Sequence, residues 1–345
     1  IAGGEVVGTI KSGIIDPAAV PTPQSFVWLM TAALLAAALW LNFATWIGAP
    51  VSTTHSIVGA VLGSGIAASG WDIANWGTVG QIAASWVVSP VFGGVLAALI
   101  LYAIKRSITY QADLMDAARR VVPVLIGLMA WAFASYLLLK GVTQLVKVGF
   151  AAGVAVYALM RARVRRRLGD LSNDKDGVNL LFTVPLMCAA ALLSFAHGSN
   201  DVANAIGPLA AIYDTLSTSN ISGKAPVPLW VMLIGALGLS VGLALYGPKL
   251  IRTVGSEITD MDPMRAYCIA MAAAVTVIIA SQLGLPISTT HVTIGAVFGV
   301  GFLREYLKAN YARIIAEIEA HHQAQDSERA VVEAFLKAFE AAPVA

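Results

Sequence analysis

Charge is what this sequence has least of. Asp, Glu, Lys and Arg make up 12% of its 345 residues, against 58% hydrophobic residues. Soluble domains run near 25% charged and 45–50% apolar. Mean hydropathy is +0.76. A chain of this size cannot hide so much apolar surface in water, so the ordinary soluble enzyme classes are excluded and a lipid bilayer is implied. The formal net charge is only +2, too small to argue for nucleic acid as a partner. Cysteine is scarce too. Cys188 and Cys268 both lie in apolar runs and fit neither a disulfide framework nor a zinc site. The start, Ile1-Ala2-Gly3, shows no Met and no signal-peptide pattern.

Long apolar runs are abundant instead. A helix needs about 20 such residues to cross a bilayer, and stretches near 25–47, 78–104, 121–140, 142–160, 179–197, 228–247 and 265–284 qualify. Shorter apolar stretches near 50–68, 200–213 and 286–303 follow Pro- or Asn-containing breaks. They read as half-helices or re-entrant segments, which survive at membrane depth only under cover of protein or in a watery cavity. Residues 1–16 read as the end of another helix. Lys105, Arg106, Arg119 and Arg120 share one loop, and Arg161, Arg163, Arg165, Arg166 and Arg167 crowd another. Two apolar segments lie between these loops, so both fall on one face, the cytoplasmic one by the positive-inside rule. Four parts follow: a first transmembrane repeat at 1–160, a basic cytoplasmic loop at 161–178, a second repeat at 179–303, and amphipathic soluble helices at 304–345. His321-His322 reads as a solvated pair.

An internal repeat is plain at a constant offset of 236 residues. Residues 48–65 read GAPVSTTHSIVGAVLGSG and residues 284–301 read GLPISTTHVTIGAVFGVG. Matched halves are the sequence mark of many secondary transporters, whose site lies at the repeat interface. Pro followed by Ser-Thr-Thr is a helix start: Pro pre-sets φ, and hydroxyls cap free N–H groups. Such a start carries about +0.5 charge and unpaired donors, which suits an oxyanion such as phosphate. Ser52, Thr53, Thr54, Ser288, Thr289 and Thr290 are therefore candidate anion ligands, with His55 and His291 in support. The plainer reading is that these hydroxyls only cap buried helices.

A second constellation is His197-Gly198-Ser199-Asn200-Asp201-Val202-Ala203-Asn204. An Asp at membrane depth is costly, so it marks function by default. Asn200 and Asn204 are four apart and share a helix face. Carboxylate, amide and freed carbonyl oxygens make a hard ligand set that suits an alkali cation. Asp201, Asn200 and Asn204 are the candidate cation ligands, Asn200 also facing phosphate, with His197 and Ser199 in support. The alternative is that Asn200 and Asp201 cap a helix beginning there.

These residues resemble the inorganic phosphate transporter family of sodium- or proton-coupled phosphate permeases. Its marks are Gly-x-Asn-Asp-Val-x-Asn, present as Gly198 to Asn204, and Pro-x-Ser-x-Thr-His, present as Pro50 to His55 and Pro286 to His291. The stretch Gly8 to Asp16 is similar to the family's first half. The resemblance implies an all-α polytopic fold of two inverted repeats with discontinuous, re-entrant half-helices. It also implies phosphate bound with Na⁺ (or H⁺) as coupling ion, no organic cofactor, a homodimer, and a place in the inner or plasma membrane. Two departures stand out. No first-half Asn-Asp motif is present, and the offset of 236 would place it upstream of Ile1, so an incomplete first repeat is expected. Some family members also carry Glu where this chain has Ala270. The apolar runs near the motifs hold no Arg or Lys to neutralise phosphate, so bound cations are expected to do so. Two rivals remain at this level. One is a sulfate or other oxyanion permease of the same fold. The other is an intramembrane zinc enzyme built on His55, His197, His291 and Asp201, although no His-Glu-x-x-His pattern is present.

Overall fold

The computed structural model describes residues 4–49, 51–138, 151, 153–162, 172–221, 227–255, 262–311, 329 and 333, without the side chains of 135–138 and 248–255. Its regular elements are helices: α1 (Gly4–Gly8), α2 (Pro23–Ile47), α3 (Thr53–Ser69), α4 (Trp76–Ile104), α5 (Leu114–Leu138), α6 (Gly153–Ala162), α7 (Lys175–Thr218), α8 (Leu229–Gly255) and α9 (Pro263–Gln282). A further helix, α10, starts at 289. π-helical turns follow α1 at Thr9–Gly13 and α4 at Lys105–Thr109. Among the described residues the only β-pairing is an isolated bridge between Ile15 and Ala74. Contacts divide the chain into one compact unit at residues 1–300 and another at 301–345, of which 301–311 are helical.

Among the described residues six helices are long and apolar enough to cross a membrane. They correspond to six of the seven expected spans. Most of the first half of the seventh, 142–160, lies outside the described residues, and its remainder contains α6. The clustered Arg163 to Arg167, His321-His322 and most of the expected C-terminal helices also lie outside them.

The repeat is structural as well as sequential. Pro23 opens α2, with Thr22 capping Ser25 N–H at 3.1 Å. Pro263 opens α9, with Asp262 capping Arg265 N–H at 2.9 Å. Each helix then ends in a left-handed glycine, Gly48 at φ +76° and Gly284 at φ +70°. Only glycine takes this conformation without strain, and its N–H returns to the last turn. A short loop follows, then a serine-capped helix: Ser52 accepts from His55 N–H at 3.2 Å, and Ser288 from His291 N–H at 3.3 Å. Serine-capped helices therefore start at 53 and 289.

The expected break before 200–213 is absent. Asn200 and Asp201 lie inside α7, one unbroken helix of 44 residues. Nor do they cap a helix start. Their side chains bond to other helices and to His197, not to nearby backbone N–H groups, so nothing competes with the helical ladder. Pro185 and Pro208 each remove one bond from it.

α7 is the hub, packing against α2, α5, α8 and α9. Buried Val6, Ile10, Met30, Val61 and Ile206 join α1, α2, α3 and α7 in one core cluster. The start of α10 packs closely on α4 because small residues face each other. A Cβ added at Gly299 would fall 2.0 Å from the Gly94 carbonyl oxygen, and one at Gly295 would fall 2.1 Å from that of Pro90. Gly299→Ala must therefore push the helices apart, at a cost of about 1–3 kcal/mol or more. Gly238→Ala meets open space and should gain up to about 1 kcal/mol of helix propensity. Thermal unfolding in detergent is expected to move in opposite directions for the two.

One buried ion pair escaped the sequence. Lys11, in the first π-turn, bonds Asp214 of α7 at 3.0 Å, with 4% and 8% of the two side chains exposed. Removing one partner strands a buried charge, at about 3–5 kcal/mol. Lys11→Met should thus destabilise strongly, and Lys11→Met with Asp214→Leu should recover most of the loss in the same unfolding assay.

Candidate functional site

Two helix starts meet one helix middle. Thr54, the second residue of α3, donates its hydroxyl to the carbonyl of Ile287, just before the Ser288 cap of α10, at 3.0 Å. The His55 and His291 rings lie 5.1 Å apart. Trp86 of α4 ties the pieces together: its indole N–H donates to the Pro286 carbonyl at 2.9 Å, and its ring meets His55 edge-on at 3.7 Å.

The middle of α7 comes up against the α3 start. Asp201 accepts from the Thr53 hydroxyl at 3.1 Å and from His197 Nε2 at 2.8 Å, both on Oδ2. Asn204 donates from Nδ2 to the hydroxyls of Thr53 and Thr54, at 3.4 and 3.2 Å. Asn200, fully buried, donates from Nδ2 to Ser281 of α9 at 3.0 Å. Each side chain is thus clamped at one end. The other ends, Oδ1 of Asn200, Asp201 and Asn204, are buried and have no hydrogen-bond partner among the described residues. Buried polar atoms rarely go unpaired, and here three fall within five residues of one helix. Pro208 has no N–H to give the Asn204 carbonyl four residues before it, which adds a further weakly claimed oxygen. The chemistry is oxygen-only and carries one negative charge, which suits an alkali cation.

The helix starts offer the complement. Ser52 and Ser288 are spent as caps through their lone pairs but keep their O–H donors. No described hydrogen bond occupies the N–H groups of Thr53, Thr54, Thr289 or Thr290. The hydroxyls of Thr53 and Thr54 are already committed to Asp201 and Ile287, which leaves their backbone N–H groups rather than their side chains open. Ser288 and Thr289 are buried, whereas Thr290 and His291 are exposed. Ser199 turns back to the Ala196 carbonyl at 2.8 Å. Lys11 alone of the Lys and Arg residues whose side chains are described is buried. It lies in its own pair at Asp214, 13 residues beyond Asp201 and so about 20 Å further along α7. A buried cation thus exists, but it serves Asp214.

The sequence is matched by the phosphate transporter family over residues 1–331. The chain belongs to that family. Two relatives from Helicobacter pylori strains, assigned as phosphate permeases, are 50% and 49% identical to the transporter over 99% of its length and 67% of theirs. A third, from Pyrococcus abyssi, is 39% identical over 92% of the chain and 79% of the relative. A solved structure described as the sodium-dependent phosphate transporter superposes with a TM-score of 0.82 at 36% identity, covering 87% of this chain and 76% of that one. The transporter is therefore an all-α, multi-pass protein of the cell membrane and not an enzyme. Among its described residues no three His, Cys, Asp or Glu side chains gather as a metal site, and His197 is engaged with Asp201.

Trp86 and Ser281 are the site residues that sequence reasoning missed. Trp86 lies in an apolar run with no polar marker. Ser281 was within reach, since it is the repeat mate of Thr45 at the same offset of 236. An electrostatic test of the α3 start follows. Asp caps as well as Ser, so Ser52→Asp should keep the folded protein within about 0.5 kcal/mol of the original while placing an anion at the start. Phosphate-induced thermal stabilisation is expected to disappear in this variant and to persist in Ser52→Thr.

Proposed function

We propose that the transporter is a symporter of inorganic phosphate driven by a cation gradient, with Na⁺ as the coupling ion. The supporting observation is the set of three buried, unpartnered Oδ1 atoms on Asn200, Asp201 and Asn204 beside two opposed helix starts. Phosphate brings one to two negative charges, and Asp201 adds another. Isolated charges in a low-dielectric interior are prohibitive. Each helix start supplies about +0.5 charge, and among the described side chains no buried Lys or Arg is left to supply the rest. A cation on the three Oδ1 atoms neutralises Asp201 and so removes its repulsion, which leaves the two helix starts, about +0.5 each, to face the phosphate charge. Coupling is then an electrostatic necessity: neither ion binds well without the other. Ser52 and Ser288 hydroxyls, the side chains of Thr289 and Thr290, and the first N–H groups of α3 and α10 hold the phosphate oxygens.

The two matched halves, meeting at their helix starts, are read as inverted repeats with the substrate between them. The family resemblance adds a homodimer, which analytical ultracentrifugation in detergent tests directly.

The decisive experiment is uptake of labelled phosphate into proteoliposomes under an imposed Na⁺ or H⁺ gradient. Uptake above the concentration ratio is expected with Na⁺. Asp201→Asn should abolish it while the purified protein stays folded and monodisperse. Uptake by this variant near the original rate would sink the assignment. Competition by unlabelled sulfate, arsenate and phosphate separates a phosphate carrier from a sulfate carrier.

A further inference from the structure

We propose that Ser281 is a positioning residue that aims the Asn200 carbonyl oxygen at the coupling cation and ties that cation to the phosphate-binding loop. This rests on the cation-coupled reading above. An asparagine amide has two ends with opposite chemistry: Nδ2 only donates and Oδ1 only accepts. Asn200 is fully buried, so its orientation is set by its partner. Ser281 Oγ takes the Nδ2 end at 3.0 Å, which turns Oδ1 the other way, where it has no protein partner. Ser281 is itself 2% exposed.

The same residue closes the turn into the second helix start. Its carbonyl accepts from Gly284 N–H at 3.3 Å, and Gly284 leads through Pro286 to the Ser288 cap. Comparison with its repeat mate separates the two roles. Thr45 also accepts from its glycine, Gly48 N–H, at 3.1 Å, but its hydroxyl turns back to the Leu41 carbonyl of its own helix at 2.8 Å. The turn is therefore made without a hydroxyl reaching across to another helix. The Ser281–Asn200 bond is an addition, and it links the α7 oxygens to the α10 start. A cation drawing on Asn200 Oδ1 is thereby coupled to the segment that presents Ser288 and Thr289. Such coupling is reciprocal.

The test is phosphate uptake into proteoliposomes across a matrix of Na⁺ and phosphate concentrations. In the original protein, rising Na⁺ should lower the phosphate KM. Ser281→Ala should raise the Na⁺ concentration for half-maximal uptake about tenfold, the scale for losing one hydrogen bond to a buried polar group, with the maximal rate at saturating Na⁺ retained. It should also flatten the dependence of phosphate KM on Na⁺. Ser281→Thr keeps the hydroxyl and matches the repeat mate, so it should restore both behaviours. If the alanine variant does not fold, Ser281→Cys fills the same space with a weak acceptor and should show the same shift. Unchanged Na⁺ activation in a folded Ala or Cys variant overturns the role of Ser281 and leaves the coupled reading standing. Loss of maximal rate with unchanged Na⁺ activation overturns it as well. Na⁺-independent uptake by the original protein overturns the coupled reading, and the proposal with it.

Discussion

Asp201 stands in the middle of a membrane-crossing helix, and a carboxylate at that depth must be compensated. The surrounding structure answers this in two ways at once. Its Oδ2 is satisfied locally by Thr53 and His197, and its Oδ1 is left bare beside the bare oxygens of Asn200 and Asn204. The first fixes the geometry of the group. The second leaves a charge that, in the proposed reading, a mobile cation meets. The helix starts of α3 and α10 face the mirror problem, with positive ends and open N–H donors but no anion of their own. Two unsatisfied halves of opposite sign, packed together, are the basis for proposing a site for a pair of ions rather than for either alone.

The frame that holds these halves is built from close contacts. Gly94, Gly295 and Gly299 bring α4 and α10 together, and Trp86 pins the Pro286 carbonyl from the same α4. The π-turn after α1 does comparable work on the other flank. Thr9 donates to the Gly284 carbonyl at 2.7 Å while Lys11 locks to Asp214. The loop that leads into α10 is thus held from α4, from the π-turn and through Ser281 from α7. Little of this frame faces water, so small misplacements cannot be absorbed by solvent.

Much of it was legible in the sequence, and for specific reasons. The repeated Pro-x-Ser-Thr-Thr-His motif foretold both serine-capped starts because capping is local chemistry: the cap, the hydroxyl and the N–H it serves lie within three residues. Asp201, Asn200 and Asn204 were visible because polar side chains are conspicuous in an apolar run and their spacing fixes a shared face. The continuity of α7 was not visible. Asn and Asp suggest a helix break when read locally, and only their tertiary partners, Ser281 and Thr53, show why the ladder runs on. Lys11 and Asp214 are 203 residues apart, and nothing local announces such a pair. Trp86 was hidden for the same reason, since its one polar atom serves a loop 200 residues away. The commitment of the Thr53 and Thr54 hydroxyls to Asp201 and Ile287 likewise depends on long-range packing.

The bare oxygens of α7 bear most directly on the coupling of the two ions. Equilibrium binding of labelled phosphate to the purified transporter, with Na⁺ replaced stepwise by choline at fixed ionic strength and pH, reads that coupling without any membrane gradient. Phosphate affinity is expected to fall steeply as Na⁺ is withdrawn, and Na⁺ affinity to rise in parallel when phosphate is added. Equal phosphate affinity in Na⁺ and in choline would contradict a cation at Asn200, Asp201 and Asn204 as the partner of phosphate.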